Sequence, residues 1–263
     1  WDRLDPHERL RHILRSLSQW HERWAFCGAS AAVMHGLDCS YRQLHPIHVA
    51  VGRNSRPRNQ RYVRFHVLDD AETVAVDGAR VTSILRTLVD CAAMMPRRYA
   101  MAPIDSALRQ GKTTVEQMLE YVDAIPMLRD RERIRAVLAQ GDGRVENGGE
   151  SECRAVLDEL GFPVHRVQVE FPCLSHPGRV HRVDFLWERD DGTLIAGEFD
   201  GVQKYVDPLM TAGWTIRQVV DDERDRQQCL SRRGVDMVRM FYRDLDNAQV
   251  LAYRLEQARV PRR

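Results

Sequence analysis

Two acidic residues interrupt apolar runs in the second half of the chain: Asp184 within Val183-Asp184-Phe185-Leu186-Trp187, and Glu198 directly after Leu194-Ile195-Ala196-Gly197. Thirteen residues lie between them. Asp200 follows two positions after Glu198, so on an extended chain it shares that face. Lys204 comes four residues later, and it and Lys112 are the two lysines among 39 Lys+Arg residues. Carboxylates on adjacent strand ends can hold a divalent cation, which lowers the pKa of a bound water and stabilises charge growing on a phosphate. A nearby lysine binds phosphate or orients the nucleophile. Gly197 and Gly201 leave room for a phosphate or another backbone to approach. Glu150, at the start of a predicted helix ahead of these strands, completes the expected acidic set. The bland alternative is a group of solvated strand-end acids, since such a spacing arises by chance in a chain with 38 Asp+Glu.

The elements that must position these residues are legible in outline. Residues 150–160 read as a helix ending at Gly161, 164–171 and 179–187 as strands, and 193–199 as an apolar strand. A charged helix from about 217 to 233 ends at Gly234, a strand covers 235–241, and a helix follows over about 244–258. The order α-β-β-β-α-β predicts a mixed sheet flanked by helices. Arg154, Arg226 and Gln227 fall on the two helices beside the acids. They either contact phosphate or pair with Glu150, Glu223 or Asp200.

The first half reads differently. A helix is expected over Pro6–Trp24, then a short helix of small residues with Ser30 as its N-cap and Gly36 as its stop. Residues 46–52 and 62–68 alternate as strands, joined by a loop read as a hairpin connection. The stretch 53–64, which includes that loop, carries Arg53, Arg56, Arg58, Arg61 and Arg64 with no acid among them. It is either a phosphate grip or a solvated loop. Asp77-Gly78 marks a turn, and helices are expected over 82–95 (capped by Thr82), 99–109, 113–123 and 129–140. His35 reads as a packed or capping histidine. Ser30 lacks the following glycine that a nucleophile elbow needs. Gly141, Gly143, Gly148 and Gly149 bracket a break, giving domains of 1–145 and 146–263.

Charge divides along the same line. Residues 1–145 hold 22 basic and 17 acidic side chains, a surplus of +5, and 146–263 hold 17 and 21, a deficit of −4, together the net +1. Hydrophobic residues make up 43%, which excludes general disorder. No apolar run approaches the roughly eighteen residues that cross a bilayer, so no membrane partner and a cytoplasmic location are expected. The six cysteines contain no Cys-x-x-Cys pair and read as reduced thiols, not as a zinc site or disulfide framework. Because the chain begins at Trp1 rather than Met, further residues are expected upstream.

Several of these motifs resemble known families. Glu150-Ser151-x-x-Arg154, Val183-Asp184-Phe185, Gly197-Glu198-Phe199-Asp200-Gly201-x-x-Lys204-Tyr205 and Glu223-Arg224-x-Arg226 ahead of Gly234-x-x-x-Val238-Arg239 resemble the PD-(D/E)XK nucleases, closest to domains related to very-short-patch repair endonucleases. That resemblance implies a restriction-endonuclease-like fold, DNA as substrate and Mg²⁺ (or Mn²⁺) as cofactor, with Glu150, Asp184 and Glu198 as metal ligands. Asp200 stands where the family's lysine belongs, a departure that Lys204 would offset. Phe26 to Leu37, Val81 to Ala92 and Ile104 to Gly111 resemble the AbiEi-type antitoxin and transcriptional-regulator family, over about residues 20–125. Its members usually carry an upstream winged helix; none is visible ahead of this region here, in keeping with further residues expected before Trp1.

The resulting expectation is a two-domain α/β protein. Its catalytic residues would be Glu150, Asp184, Glu198, Asp200 and Lys204, with DNA held by Arg154, Arg226, Gln227, Arg53, Arg56, Arg58 and Arg61. A toxin partner or self-association is a further expectation. The rival expectation is a non-catalytic DNA-binding antitoxin or regulator with a degenerate nuclease fold.

Overall fold

The computed structural model describes residues 1, 3–55, 57–68, 71–174, 176–200 and 216–263, the backbone alone over 216–223. The chain divides into two compact units, Trp1–Ser151 and Glu152–Arg263. No helix among the described residues is long and apolar enough to cross a membrane.

The first unit opens with α1 (Pro6–Trp20). Asp5 and Glu8 form a reciprocal capping box at its start, and its buried Leu10 and Leu14 lie one turn apart. Strand β1 (Ala25–Phe26) leads into α2 (Gly28–Met34), every residue of which is buried. A helix surrounded on all sides needs small side chains, and Gly28-Ala29-Ser30-Ala31-Ala32 supplies them. Ser30 is not its cap, contrary to the expectation from the sequence. The N-cap is Cys27, and the Ser30 hydroxyl accepts from the His48 N–H at 2.9 Å. Gly36 does stop the helix, at φ +74°.

Strands β2 (Ile47–Val51), β3 (Val63–Val67), β4 (Thr73–Val76) and β5 (Ala79–Thr82) complete a mixed sheet in the order β3-β2-β1-β5-β4. β2 and β3 run parallel, Ile47 opposite Val63 through Val51 opposite Val67. The arginine loop is therefore a crossover returning the chain to the same end of the sheet, not a hairpin. The true hairpin is β4–β5, turned by Asp77 and Gly78 with both φ angles positive, the backbone a two-residue primed turn demands.

Helix α3 (Ile84–Met94) is capped by Ser83 rather than Thr82, which instead ends β5 and places its hydroxyl 2.7 Å from that of Thr87. Helices α4 (Arg97–Arg109), α5 (Val115–Ala124, boxed by Thr114 and Gln117) and α6 (Arg131–Leu138) follow. Leu88, Met101, Ile104, Met118, Ile134 and Leu138 are fully buried among them.

The second unit holds most of α7 (Gly148–Glu159), then β6 (Arg166–Pro172), β7 (Val180–Glu188), β8 (Leu194–Asp200), α8 (Ile216–Arg232), β9 (Val235–Phe241), α9 (Tyr242–Leu245) and α10 (Ala248–Gln257). Its sheet order is β6-β7-β8-β9, antiparallel except for the parallel β8–β9 pair that α8 connects. Phe171, Val183, Leu186, Ala196, Leu230 and Val235 form one buried cluster. Trp187 is fully buried and donates from Nε1 to the Phe162 carbonyl at 3.3 Å. The expected C-terminal helix is broken into α9 and α10, with Asn247 capping α10 by accepting from the Val250 N–H.

Candidate functional site

The ladder between β7 and β8 ends at the Phe185–Gly197 pair. One step further, β7 carries Asp184 and β8 carries Glu198. An Asp184 carboxylate oxygen accepts from the Phe199 N–H at 2.8 Å, supplying the strand with a side-chain acceptor where the ladder stops. Glu198 is buried and neighbours Arg239 on β9. Asp200, on the same strand, lies 3.8 Å from an Arg239 guanidinium nitrogen. Arg226 of α8 donates both to the Glu198 carboxylate and to the Arg182 carbonyl. The sequence reading offered Arg226 a phosphate or one of three other acids, so Glu198 is a partner it did not foresee.

Burial lifts the Glu198 carboxyl to about 7, with Asp184 and Asp200 pushing in the same direction and Arg226 and Arg239 opposing. A carboxyl in this state sits between its neutral and charged forms near neutral pH, as acid-base groups and underneutralised metal ligands do. The donor set of Asp184, Glu198 and Asp200 is all oxygen and suits a hard cation such as Mg²⁺. Their ligand atoms are not drawn into a single tight group: among the described residues, that closeness is reached by Cys173, His181 and Cys229 alone. Arg226 holds one Glu198 oxygen, so a cation would share this carboxylate with Arg226 or displace it.

A residue missed in the sequence stands beside this cluster. Gln168 of β6 falls between the pairs Val167–Phe185 and Val169–Val183, opposite Asp184, with φ +52°. The left-handed region is unfavourable for glutamine, and such strain concentrates at functional positions. Nothing in the local sequence signals it. Gly197 corrects another expectation: a Cβ there would meet the Trp187 ring at 2.7 Å. The space beside it is filled by indole, not left for phosphate.

Glu150 lies in the first unit and caps α7. One oxygen accepts from the Glu146 N–H at 3.0 Å and the other from the Asn147 amide, while Asn147 Oδ1 accepts from the Glu150 N–H at 3.0 Å. Arg154 is half-buried on α7 and Gln227 exposed on α8. Lys204, Gly201 and Arg56 lie outside the described residues.

In the first unit, Arg53, Arg58 and Arg61 are exposed on the crossover loop, and Arg61 lies over the Tyr62 ring. The same loop borders a cleft of about 580 Å³ lined by Trp24, Phe65, Leu68, Arg23 and Arg80. His35 serves structure: its Nε2 meets the Thr82 carbonyl at 2.8 Å, and Lys112 donates to its carbonyl. His48 and His66 share one contact, Nδ1 to Nε2 at 2.8 Å, and burial followed by His66 lowers His48 to about 4.

Fold and site together define a mixed α/β chain of two units, the second with an acidic cluster at a sheet opening. Residues 24–140, all within the first unit, match the AbiEi antitoxin C-terminal domain family. Two uncharacterized proteins of Mycobacterium tuberculosis, one from strain CDC 1551 / Oshkosh and one from strain H37Rv, are each 29% identical over 217 residues, covering 76% of this chain and 76% of their own.

Proposed function

We propose that this chain is a divalent-metal-dependent DNA endonuclease-like protein of a toxin–antitoxin or defence setting. Its AbiEi-like unit would engage DNA or a toxin partner, and its second unit would carry the hydrolytic site. The observation that carries this reading is the meeting of Asp184, Glu198 and Asp200 where β7 and β8 part, with Glu198 lifted to about 7 in their midst. Asp184 and Glu198 would hold Mg²⁺ or Mn²⁺, with Asp200 beside them. The cation supplies water activation and charge stabilisation at phosphorus. Around it, Arg239 would position Asp200, the Phe199 N–H would fix the Asp184 rotamer, and Arg226 would stand beside Glu198 to face the phosphate. Arg53, Arg58 and Arg61 would grip the backbone of the nucleic acid.

The Arg226–Glu198 pair also favours a second reading. A guanidinium satisfies a buried carboxylate without any metal, so the same contact suits a non-catalytic, DNA-binding antitoxin or regulator. One experiment separates the two: cleavage of supercoiled, linear and single-stranded DNA with Mg²⁺ or Mn²⁺, wild type beside Asp184→Ala, with mobility shifts run in parallel. Metal-dependent cutting that disappears in the variant supports the nuclease. Retained DNA binding without cutting of any substrate supports the regulator.

A further inference from the structure

We infer that Cys173, His176, His181 and Cys229 form a structural zinc site that pins the β6–β7 hairpin to α8. This inference is independent of the nuclease reading. It also reverses the expectation that the cysteines bind no zinc.

Three of the four residues offer ligand atoms all within 4.8 Å of one another: Cys173, His181 and Cys229. The two sulfurs are 3.6 Å apart, and the His176 Nδ1 lies 3.9 Å from the Cys173 sulfur. Tetrahedral zinc, with Zn–S of about 2.3 Å and Zn–N of about 2.0–2.1 Å, implies an S···S edge of about 3.8 Å and an S···N edge of about 3.6 Å. The sulfur–sulfur spacing and the His176–Cys173 spacing lie within a few tenths of an ångström of these edges, and a His181 nitrogen lies within 4.8 Å of both sulfurs. A disulfide, at about 2.0 Å between sulfurs, does not fit the 3.6 Å separation, and neither cysteine is in a disulfide.

Two independent features point to a ligand here. His181 is 4% exposed and its Nε2 is buried with no hydrogen-bond partner. An imidazole nitrogen left so in a hairpin core is costly, and coordination removes that cost. The Leu174 N–H also donates to the Cys229 sulfur at 3.1 Å, the kind of outer hydrogen bond that orients a metal-bound sulfur. Two thiolates balance the charge of Zn²⁺, so the partly buried group stays neutral overall.

The ligands join elements far apart in sequence. Cys173 follows β6, His176 sits in the turn, His181 lies on β7 opposite Phe171, and Cys229 belongs to α8. Arg233 of the helix's C-terminal flank also donates to the Pro172 carbonyl at 2.6 Å. With His176 as the fourth ligand no position would be open for water, the arrangement of a structural rather than a catalytic site. Because Arg226 precedes Cys229 by one helical turn, the metal would also fix the Arg226 register against Glu198.

The test uses the full chain purified under reducing conditions. Elemental analysis should find one equivalent of zinc, and reconstitution of the stripped protein with Co²⁺ should produce a thiolate-to-cobalt charge-transfer band with tetrahedral ligand-field absorption. Cys229→Ser and His181→Ala should lose the metal, whereas Cys153→Ser should keep it. Should those variants fail to fold, differential alkylation of the wild type decides the matter. Cys173 and Cys229 should be protected with Zn²⁺ and become reactive after chelation, with buried Cys153 unreactive in both states. The inference is overturned if the wild type takes up neither metal, if alkylation is the same with and without Zn²⁺, or if Cys173 and Cys229 pair as a disulfide and His181→Ala leaves metal content unchanged.

Discussion

At the scale of single residues, Glu198 dominates the electrostatics of the second unit. Its carboxyl stands at about 7 in the folded chain, against an ordinary value of 4.5, chiefly because it is buried. The native state therefore holds this proton more tightly than the unfolded state does. The resulting stabilisation is complete below about pH 4.5 and is lost as pH rises through about 7. A rise of this size is worth roughly 3 kcal/mol. Glu198→Gln should match the wild type in urea denaturation at acid pH and exceed it in stability at about pH 8. Equal or lower stability of the variant at about pH 8 would mean that the Arg226 ion pair outweighs the burial penalty. Mn²⁺ should stabilise the wild type at about pH 8 and leave Glu198→Gln unmoved, since the variant lacks the charge that the metal would neutralise. Arg86 and Asp90 make a second residue-scale case. They pair at 2.9 Å with side chains 9% and 3% exposed, and burial lifts Asp90 to about 6 despite Arg86. Arg86→Ala should cost about 3–5 kcal/mol by stranding the acid, and the Arg86→Met, Asp90→Leu pair should recover most of it; equilibrium unfolding of the three proteins checks this.

At the scale of elements, the second unit was the more legible. Its strands are short apolar or alternating runs bounded by turn signals, so the order α-β-β-β-α-β could be read directly. Asp184 and Glu198 stood out because each breaks such a run. Arg226 could not be matched to Glu198 in this way, nor Cys229 to Cys173, because 28 and 56 residues separate them and no local spacing encodes the contact. In the first unit, β1 is two residues long and carries no periodicity. The parallel β2–β3 pairing was missed because a loop of that length reads most simply as a hairpin. Gly197 shows how a correct residue can carry a wrong reason. Glycine is required there by the Trp187 ring, so Gly197→Ala should lose about 1–3 kcal/mol of stability through overpacking. A thermal melt of that variant indistinguishable from wild type would show that the indole can shift. Glu150 yields a milder prediction: Glu150→Ala removes the acceptor of two bonds at the start of α7 and should cost about 1 kcal/mol, as cap losses do.

At the scale of the whole molecule, the division at Ser151 and Glu152 sets how the chain should unfold. Each unit has its own sheet and its own buried side chains: Phe26, Leu88 and Ile104 in the first, Phe185, Trp187 and Leu230 in the second. Separate cores of this kind unfold as separate cooperative units. Calorimetry should therefore resolve two transitions. Arg86→Ala should lower one of them and Gly197→Ala the other, and the double variant should lower both by the same amounts, because substitutions that share no partners act additively. Chelation of zinc should move the transition that Gly197→Ala moves and spare the one that Arg86→Ala moves, since Cys173, His181 and Cys229 all belong to the second unit. A single transition lowered by either variant would show instead that the two units fold as one, and the chelator would then shift that transition as a whole.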